Sequence, residues 1–401
     1  MQSDCIFVQI VVFYRMINRT LQHHLKQIFA SFPVTALVGP RQSGKTVLAQ
    51  ATFSLPYVSL EDPDKREFAE NDTRRFIEQY PDGCIMDEAQ RVPRLFSYLQ
   101  GYVDKQRKSG QYVLTGSSNF LMMQNISQSL AGRVGIANLL PFSLAELAAA
   151  DLQPTSTDVA ILRGFYPPIY DYAIEPRLWL SNYFTTYIER DVRLLQNIND
   201  LRTFTTFVRL CAGRTGQILN YTSLASDCGV SPNTIKQWIS VLEASYVVFL
   251  VQPYYQNFGK RLIKMPKLYF HDVGLAAYLM GIRSENELTL HSSRGALFEN
   301  MVVSEFFKYY TNRGETPPLS YWRDKTGHEV DLILETSQGI RALEIKSAKT
   351  FDSSFFSSLS YFRKLSGITE KHVYVVYAGK NSAQRSQGNE ISWLDALQVC
   401  C

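Results

Sequence analysis

Residues 39–46 read Gly-Pro-Arg-Gln-Ser-Gly-Lys-Thr, and this octet constrains the fold more than any other part of the chain. It directly follows the apolar run Val34–Val38, which is typical of a buried parallel strand. The spacing G-x-x-x-x-G-K-T is that of a phosphate-binding loop, whose glycines let backbone amides turn toward a phosphate. A helix starting near Lys45 would direct its positive end at the same anion. The sequence therefore predicts a strand–loop–helix unit that binds a nucleoside triphosphate.

The loop also predicts the ligands of that unit. Lys45 would neutralise the β- and γ-phosphates, and the Thr46 hydroxyl would bind Mg²⁺. The predicted cofactors are therefore ATP and Mg²⁺. We expect all eight loop residues to contribute to binding: Gly39, Pro40, Arg41, Gln42, Ser43, Gly44, Lys45 and Thr46.

A second apolar run, Cys84–Met86, ends in Asp87-Glu88. A carboxylate at the end of a buried strand is the usual partner of a phosphate loop. Asp87 would hold Mg²⁺ through water, and Glu88 would orient and deprotonate the attacking water. With Lys45, Glu88 is thus a predicted catalytic residue.

Further polar positions are candidates for contacting the γ-phosphate. The predicted strand Tyr112–Thr115 precedes a polar stretch, so Thr115, Ser117 and Asn119 are all candidates. Arg133 is a candidate arginine finger, acting in cis or from a neighbouring subunit; the alternative is a surface arginine. Strands alternate with helical stretches as far as Ala150, which predicts a parallel α/β sheet with ligands at the carboxyl ends of its strands.

The middle of the chain has a different pattern. The segment 151–158 is typical of a linker, and residues 175–212 are helical in pattern. From Leu219 onward, two short helices around a glycine turn and two strands resemble a winged helix. Four basic residues within eight positions, with no acid, would form a basic wing that neutralises phosphates; the alternative is a unit that binds protein or merely packs. The candidate nucleic-acid contacts are Lys236, Lys260, Arg261, Lys264 and Lys267.

Two alternating segments near the C-terminus, 328–335 and 340–348, predict a β-hairpin. If residues 337–338 form its turn, Asp331 lies opposite Glu344, and the apolar pairs are Leu332 with Leu343 and Val330 with Ile345. Two carboxylates on one face favour a divalent metal. Lys346 on that face would stabilise a transition state, and Glu299 on an upstream helix would add a third carboxylate. The alternative is a set of charged residues on a solvated hairpin face.

Composition limits the remaining function classes. Apolar residues make up 45% and charged residues 19%, which excludes a mostly disordered chain or a coiled-coil rod. The net charge of +4 provides no general field for nucleic acid, so any polyanion site requires local clustering. The six cysteines form no CxxC pair, and their spread suits reduced thiols in a cytoplasmic protein.

The apolar run 5–13 is too short to span a bilayer, and its flanks do not fit a signal peptide. We interpret Met16 as the true start, followed by an amphipathic helix through Ala30; the alternatives for the apolar run are an edge strand and a segment that touches a membrane surface. No stable membrane insertion is expected.

Seven segments occur in a fixed order along the chain: GPRQSGKT at 39–46, CIMDEAQ at 84–90, LTGSSN at 114–119, SLAGRV at 129–134, YIERDV at 187–192, LFENMVVSE at 297–305 and EVDLIL…LEIK within 329–346. This ordered set resembles the prokaryotic family of AAA-type ATPases that carry a C-terminal domain of unknown function 4143. The resemblance covers about residues 16–380 and implies an ATP-binding domain, a winged-helix segment and a PD-(D/E)XK nuclease-like end.

The sequence thus predicts an α/β multidomain chain. Its parts are an extension that is non-native or an edge strand (1–15), a P-loop AAA-type ATPase domain with a parallel sheet and flanking helices (16–150), a linker and helical segment (151–200), a winged-helix-like domain (201–280) and an α/β restriction-endonuclease-like domain (281–401). The predicted function is Mg²⁺-dependent ATP hydrolysis coupled to DNA binding. The alternatives are an ATP-gated DNA nuclease with a second divalent metal, and a non-catalytic nucleotide switch that binds a protein partner. The sequence leaves open whether the chain forms a homo-oligomer.

Overall fold

The structure is a computed structural model that describes residues 17–116, 119–192, 200–254 and 264–400. Its first part is a parallel sheet with helices on both faces. The elements are α1 (Gln22–Ser31), β1 (Val34–Val38), α2 (Lys45–Thr52), β2 (Tyr57–Ser59), α3 (Pro63–Asn71), α4 (Thr73–Glu78), β3 (Cys84–Asp87), α5 (Pro93–Gln106), β4 (Tyr112–Thr115), α6 (Asn119–Ser129), β5 (Val134–Asn138) and α7 (Leu144–Ala149).

The five strands lie in the order β2-β3-β4-β1-β5, and all are parallel. Every residue of β1 is buried, because helices cover both faces of the sheet. The predicted parallel α/β sheet is therefore confirmed, although β5 was not predicted. The predicted N-terminal helix begins later than expected, at Gln22, and residues 1–16 lie outside the described part of the chain.

The middle part is mostly helical. Its elements are α8 (Thr157–Arg163), α9 (Pro167–Asp171), α10 (Pro176–Tyr183), a π-helical segment (Phe184–Val192), α11 (Leu201–Ala212), β6 (Gln217–Ile218), α12 (Tyr221–Cys228), α13 (Pro232–Ala244), β7 (Val248–Pro253), β8 (Lys267–Phe270), α14 (Val273–Leu279) and α15 (Glu285–Leu290). Helix α13 begins where the sequence indicates, because Ser231 accepts a hydrogen bond from the Thr234 amide and Pro232 occupies the first turn. Strand β8 pairs antiparallel with both β6 and β7.

One end of the predicted linker belongs to the packed structure. Asp158 lies in α8 with 4% of its surface exposed, and its carboxylate pairs with the guanidinium of Arg294 at 2.9 Å. The linker prediction therefore extended too far, because the charged side chain at its end has a buried partner that is distant in sequence.

The C-terminal part contains α16 (Arg294–Thr311), β9 (Leu319–Arg323), β10 (Glu329–Thr336), β11 (Gly339–Lys346), α17 (Ser357–Ser366), β12 (Val373–Tyr377), β13 (Ala383–Arg385) and β14 (Gly388–Ser392). Its strands continue the antiparallel strands of the middle part as one nine-stranded sheet, ordered β13-β14-β12-β11-β10-β9-β7-β8-β6. Strands β7 and β9 join the two parts through a short parallel pairing.

The hairpin of β10 and β11 has the predicted register, with Leu332 opposite Leu343 and Thr336 opposite Gly339. The prediction that Val330 lies on the same face as Leu332, opposite Ile345, was wrong. The pairing of β10 with β9 shifts between Val330 and Ile333, so Val330 packs beside Trp322 rather than in the core that contains Leu332. A β-bulge of this kind moves side chains from one sheet face to the other, which strict alternation does not foresee.

Among the residues that the structure describes, no helix combines the length and apolar character required to cross a bilayer.

Candidate nucleotide site and carboxylate cluster

The phosphate loop connects β1 to α2 and depends on both of its glycines. A Cβ atom at Gly39 would lie 2.2 Å from the carbonyl oxygen of Leu139, so no larger residue fits there. Gly44 has φ of +88° immediately before α2, a conformation that favours glycine. The loop of this chain therefore has the local structure that the octet predicts.

The Lys45 side chain lies back along its own loop. Its ammonium donates hydrogen bonds to the carbonyl oxygens of Pro40, at 2.7 Å, and Gly39, at 3.1 Å. Burial lowers the pKa of Lys45 to about 8, against the opposing effect of the nearby Glu88 and Asp87 carboxylates. This ammonium has neutral hydrogen-bond acceptors and is suited to an anionic ligand.

Asp87 brings three hydroxyl groups together at the end of β3. Thr46 Oγ1 lies 3.1 and 3.2 Å from its carboxylate oxygens, Tyr57 donates a hydrogen bond at 2.9 Å, and Thr115 donates another. The sheet order explains this convergence, because β4 lies between β1 and β3. These hard oxygen atoms are of the type that Mg²⁺ prefers.

Tyr57 was not predicted to belong to this site. Burial and the Asp87 carboxylate together raise the pKa of Tyr57 to about 12. The adjacency of β2 and β3, which positions Tyr57, arises only in the folded sheet.

Glu88 follows β3 in a left-handed backbone conformation with φ of +54°. Its carboxylate accepts a hydrogen bond from the side-chain amide of Gln90. A Cβ at Gly116 would lie 2.2 Å from Gln90 Oε1, so glycine at that position makes room for Gln90. The candidate general base is thus held by a neutral donor.

Arg133 lies far from the phosphate loop of its own chain. It directly precedes β5, its carbonyl accepts from the amide of Val34, and its guanidinium pairs with Asp104. Because β1 and β5 are parallel, this position is the amino end of the sheet, opposite the loop that follows Val38. The prediction of a finger acting in cis was therefore wrong, and action from another subunit stays a prediction.

Of the other γ-phosphate candidates, Thr115 contacts Asp87. Ser117 lies outside the described residues, and the side chain of Asn119 is likewise not described.

Arg19 supports the loop from a position that the sequence did not indicate. The buried guanidinium donates to the carbonyls of Ser43, at 2.8 Å, and Leu140, at 2.6 Å, and pairs with Glu146 at 3.2 Å. Beside it lies a cavity of about 260 Å³, whose lining includes Ile17, Arg19, Gly44, Val47, Phe142 and Tyr172.

A second charged site lies between the middle and C-terminal parts. Its centre is Lys267 on β8, whose side chain is only 2% exposed. The ammonium lies 2.5 Å from Glu329, 2.9 Å from Glu299 and 3.9 Å from Asp331. Coulombic attraction from these carboxylates raises the pKa of Lys267 well above its usual value although burial opposes it. We name Glu299, Glu329, Asp331, Glu344, Lys267 and Lys346 the carboxylate cluster.

This placement corrects the prediction that Lys267 contacts nucleic acid, because its ammonium is buried among carboxylates. Among the other predicted contacts, Lys236 and Lys264 are exposed, whereas Lys260 and Arg261 lie outside the described residues. Lys236 lies on α13 with its ammonium 5.8 Å from the ring centre of Tyr221.

The four predicted residues of the nuclease-like site lie in this cluster. Lys346 pairs with Glu344 at 2.5 Å, and Asp331 accepts a hydrogen bond from the Ile345 amide at 2.8 Å. Glu344 Oε2 is buried without a hydrogen-bond partner. Burial raises the pKa of Glu344 to about 8 and that of Glu299 to about 7. Within the described ranges, no three acidic, histidine or cysteine side chains are arranged to hold a metal ion.

Three segments of the chain match models of known protein families. Residues 31–148 match an AAA domain, residues 155–286 match a domain of unknown function (DUF8612), and residues 294–396 match a domain of unknown function (DUF4143). Among solved structures, the chain is similar to the Walker-type ATPase PABY2304 of Pyrococcus abyssi, with a TM-score of 0.43, 15% identity and coverage of 66% of this chain and 96% of that one. Cdc6p from Pyrobaculum aerophilum matches with a TM-score of 0.26, 13% identity and coverage of 66% and 92%.

Two mycobacterial relatives match over most of the chain. They are the uncharacterized proteins Mb2031c of Mycobacterium bovis and Rv2008c of Mycobacterium tuberculosis. Each is 30% identical over 343 residues, which is 83% of this chain and 74% of the relative. Together with the domain matches, this similarity shows that the chain belongs to the family of AAA-type P-loop ATPases that carry a C-terminal DUF4143 domain.

Proposed function

We propose that the protein binds ATP with Mg²⁺, hydrolyses it, and couples its nucleotide state to DNA engagement. The observation that carries this proposal is the convergence of Lys45, Thr46 and Asp87 at the carboxyl ends of β1 and β3, which flank β4. An ammonium with neutral acceptors and a carboxylate surrounded by hydroxyls fit a triphosphate and its metal.

Each residue then has a distinct role. Mg²⁺, when bound with ATP, neutralises charge on the phosphates, and Thr46 and Asp87 would hold it. When ATP binds, the Lys45 ammonium gives up its hydrogen bonds to the loop carbonyls and donates to phosphate oxygens instead. Glu88 accepts the proton of the attacking water after the Gln90 amide releases its carboxylate.

The cavity beside Gly44 is a suitable place for the base of the nucleotide. Its walls include Val47, Leu48 and the ring of Phe142, which offer apolar contacts to a flat heterocycle. Tyr172 lies in the same lining with 58% of its surface exposed, so its ring is accessible to an entering base.

Steady-state ATP hydrolysis tests the catalytic part of the proposal. We expect Glu88→Gln to bind ATP normally and to lose at least about 100-fold in turnover, because a positioned general base contributes about 10²–10⁴-fold. The matched control is Glu67→Gln, which neutralises an exposed carboxylate on α3. Wild-type turnover in Glu88→Gln would reject the assignment. Tight ATP binding without turnover in the wild type would instead favour a non-catalytic nucleotide switch.

The exposed face of α13 supports the DNA part of the proposal. Asn233, Lys236, Gln237 and Ser240 recur at helical spacing and are all exposed, while Ile235 and Trp238 pack inward. We interpret α11–α13 with β6–β8 as a winged-helix unit that presents α13 to a duplex.

DNA binding and DNA-stimulated ATP hydrolysis test this part separately. We expect Lys236→Glu to weaken the affinity for duplex DNA and to reduce the salt dependence of that affinity. The control is Glu285→Lys, which changes an exposed side chain on α15 and should not weaken the affinity. ATP turnover that is indifferent to DNA, together with unchanged binding by Lys236→Glu, would contradict the proposal.

A further inference from the structure

The ammonium of Lys267 lies where the three nearest carboxylates of the cluster converge. Glu299 projects from α16, Glu329 and Asp331 project from β10, and Lys267 reaches them from β8. The lysine is the more deeply buried partner, with 2% of its side chain exposed against 14% for Glu299 and 12% for Asp331. A buried ammonium thus occupies the centre of the carboxylate cluster.

Further charged side chains, inside and beside the carboxylate cluster, surround that centre. Arg323 pairs with the outer oxygen of Glu329 at 3.0 Å, and Lys346 pairs with Glu344. Glu344 Oε2, in contrast, is buried without a donor, beside Asp331. A carboxylate oxygen in this state has unused capacity for a cation.

A divalent ion and the Lys267 ammonium cannot share the same position. Both require the inner oxygens of Glu299 and Asp331, and like charges at contact distance repel strongly where the side chains are buried. An ammonium that is covalently part of the chain also pays no association entropy, which favours it over an ion from solution.

We propose that Lys267 is the resident cation of the carboxylate cluster and takes the place at which a nuclease-like site would bind a divalent metal. The wild-type cluster then binds no divalent ion and supports no metal-dependent cleavage of nucleic acid. Removal of the ammonium opens a divalent-cation site in which Glu299, Asp331 and Glu344 turn toward one metal. This inference does not depend on ATP hydrolysis.

Binding of Mn²⁺ to the full-length protein, measured by electron paramagnetic resonance without nucleotide, tests the proposal. Lys267→Met removes the ammonium and retains an apolar chain of similar length. The matched control is Lys264→Met, which changes an exposed lysine three residues away. We expect one additional equivalent of bound Mn²⁺ in Lys267→Met, none in Lys264→Met, and loss of that equivalent in Lys267→Met/Asp331→Asn. A folded Lys267→Met without the additional equivalent would overturn the proposal.

The wild-type protein provides a second measurement should Lys267→Met not fold. Wild type and Asp331→Asn should bind the same amount of Mn²⁺ and should leave duplex and single-stranded DNA uncut. The proposal would be overturned if wild type bound one more equivalent of Mn²⁺ than Asp331→Asn. It would also be overturned if wild type cut DNA with Mn²⁺ and Asp331→Asn did not. Neither outcome bears on ATP turnover, so failure here is distinguishable from failure of the ATPase proposal.

Discussion

Lys45 and Lys267 are both buried near carboxylates, and their hydrogen-bond acceptors differ. Lys45 donates to two carbonyl oxygens of its own loop, whereas Lys267 donates to carboxylates from a helix and a strand. Burial lowers the pKa of Lys45 to about 8, while the carboxylates raise the pKa of Lys267 well above its usual value. The Lys45 ammonium can therefore bind an anion, whereas the charge of the Lys267 ammonium is already neutralised by carboxylates.

The comparison shows that the presence of lysine and carboxylates does not by itself define a ligand site. At the phosphate loop, Asp87 is occupied by hydroxyl groups of Thr46, Tyr57 and Thr115, which are weaker partners than an ammonium. In the carboxylate cluster, the strongest partner is built into the chain. Four predictions, in order of decreasing magnitude, test this contrast.

Loss of the Lys267 ammonium should destabilise the protein most. We expect Lys267→Ala to lower the free energy of unfolding by about 3–5 kcal/mol, because it leaves buried carboxylates without their cation. Urea denaturation measures the effect. Lys264→Ala is the control and should change the value by less than about 0.5 kcal/mol, since that side chain is exposed. A Lys267→Ala protein as stable as the control would remove the contrast between the two lysines.

Loss of the Lys45 ammonium should instead affect ligand binding. We expect Lys45→Ala to weaken ATP binding about 100-fold, or about 2.8 kcal/mol, without lowering the free energy of unfolding, because no buried carboxylate loses its partner. Titration calorimetry and urea denaturation measure the two quantities. The control is Lys105→Ala on the exposed side of α5, which should leave both unchanged. Unaltered ATP affinity in Lys45→Ala would contradict the role given to this lysine.

The two lysines should also differ in their dependence on pH. Because the folded-state pKa of Lys45 is about 8, ATP affinity should fall up to about tenfold per pH unit above pH 8, with proton uptake on binding. Between pH 8 and about 10.5 the unfolded chain binds more protons at this lysine, so its contribution to stability rises with pH. The raised pKa of Lys267 gives the opposite sign: its stabilisation is lost only as pH rises above the usual lysine range.

Calorimetry of ATP binding in buffers of different ionisation enthalpy measures this proton uptake. An ATP affinity that is constant from pH 7.5 to 9.5 would show that Lys45 is already fully protonated in the free protein.

Removal of a neutral donor to Asp87 should have the smallest effect. We expect Tyr57→Phe to lower the free energy of unfolding by about 0.5–1.5 kcal/mol, because one hydrogen bond to a partly exposed carboxylate is lost. The control is Tyr98→Phe, which changes an exposed side chain on α5, and no change beyond about 0.5 kcal/mol is expected there. A Tyr57→Phe loss as large as that of Lys267→Ala would show that hydroxyls and an ammonium are equivalent partners here.

Local spacing explains which features were predictable. The octet at 39–46 forms its loop because two glycines are required within eight residues, and the hairpin register follows from alternation around a two-residue turn. The N-terminal boundary of α13 follows from a serine cap and a proline. In each case the interacting residues are neighbours along the chain.

The errors arose where partners are distant in sequence. Lys267 precedes Glu299 by 32 residues, and all four residues of β8 are buried, so neither alternation nor local charge revealed its position. The bulge that displaces Val330 depends on pairing with β9. Arg133 was misplaced because the parallel pairing of β5 with β1, rather than the SLAGRV segment itself, determines at which end of the sheet it lies.

Short-range sterics and hydrogen bonding specify the phosphate loop, the acidic end of β3 and the hairpin that carries Asp331 and Glu344, so these features follow from the sequence. Which charges are neutralised depends instead on the fold of the whole chain. In the folded chain the Lys267 side chain reaches from β8 to Glu299 on α16 and to Asp331 on β10, so an ammonium lies among carboxylates that the sequence had assigned to a metal. Electrostatic energy depends on distance and burial, and packing between segments far apart in the chain sets both.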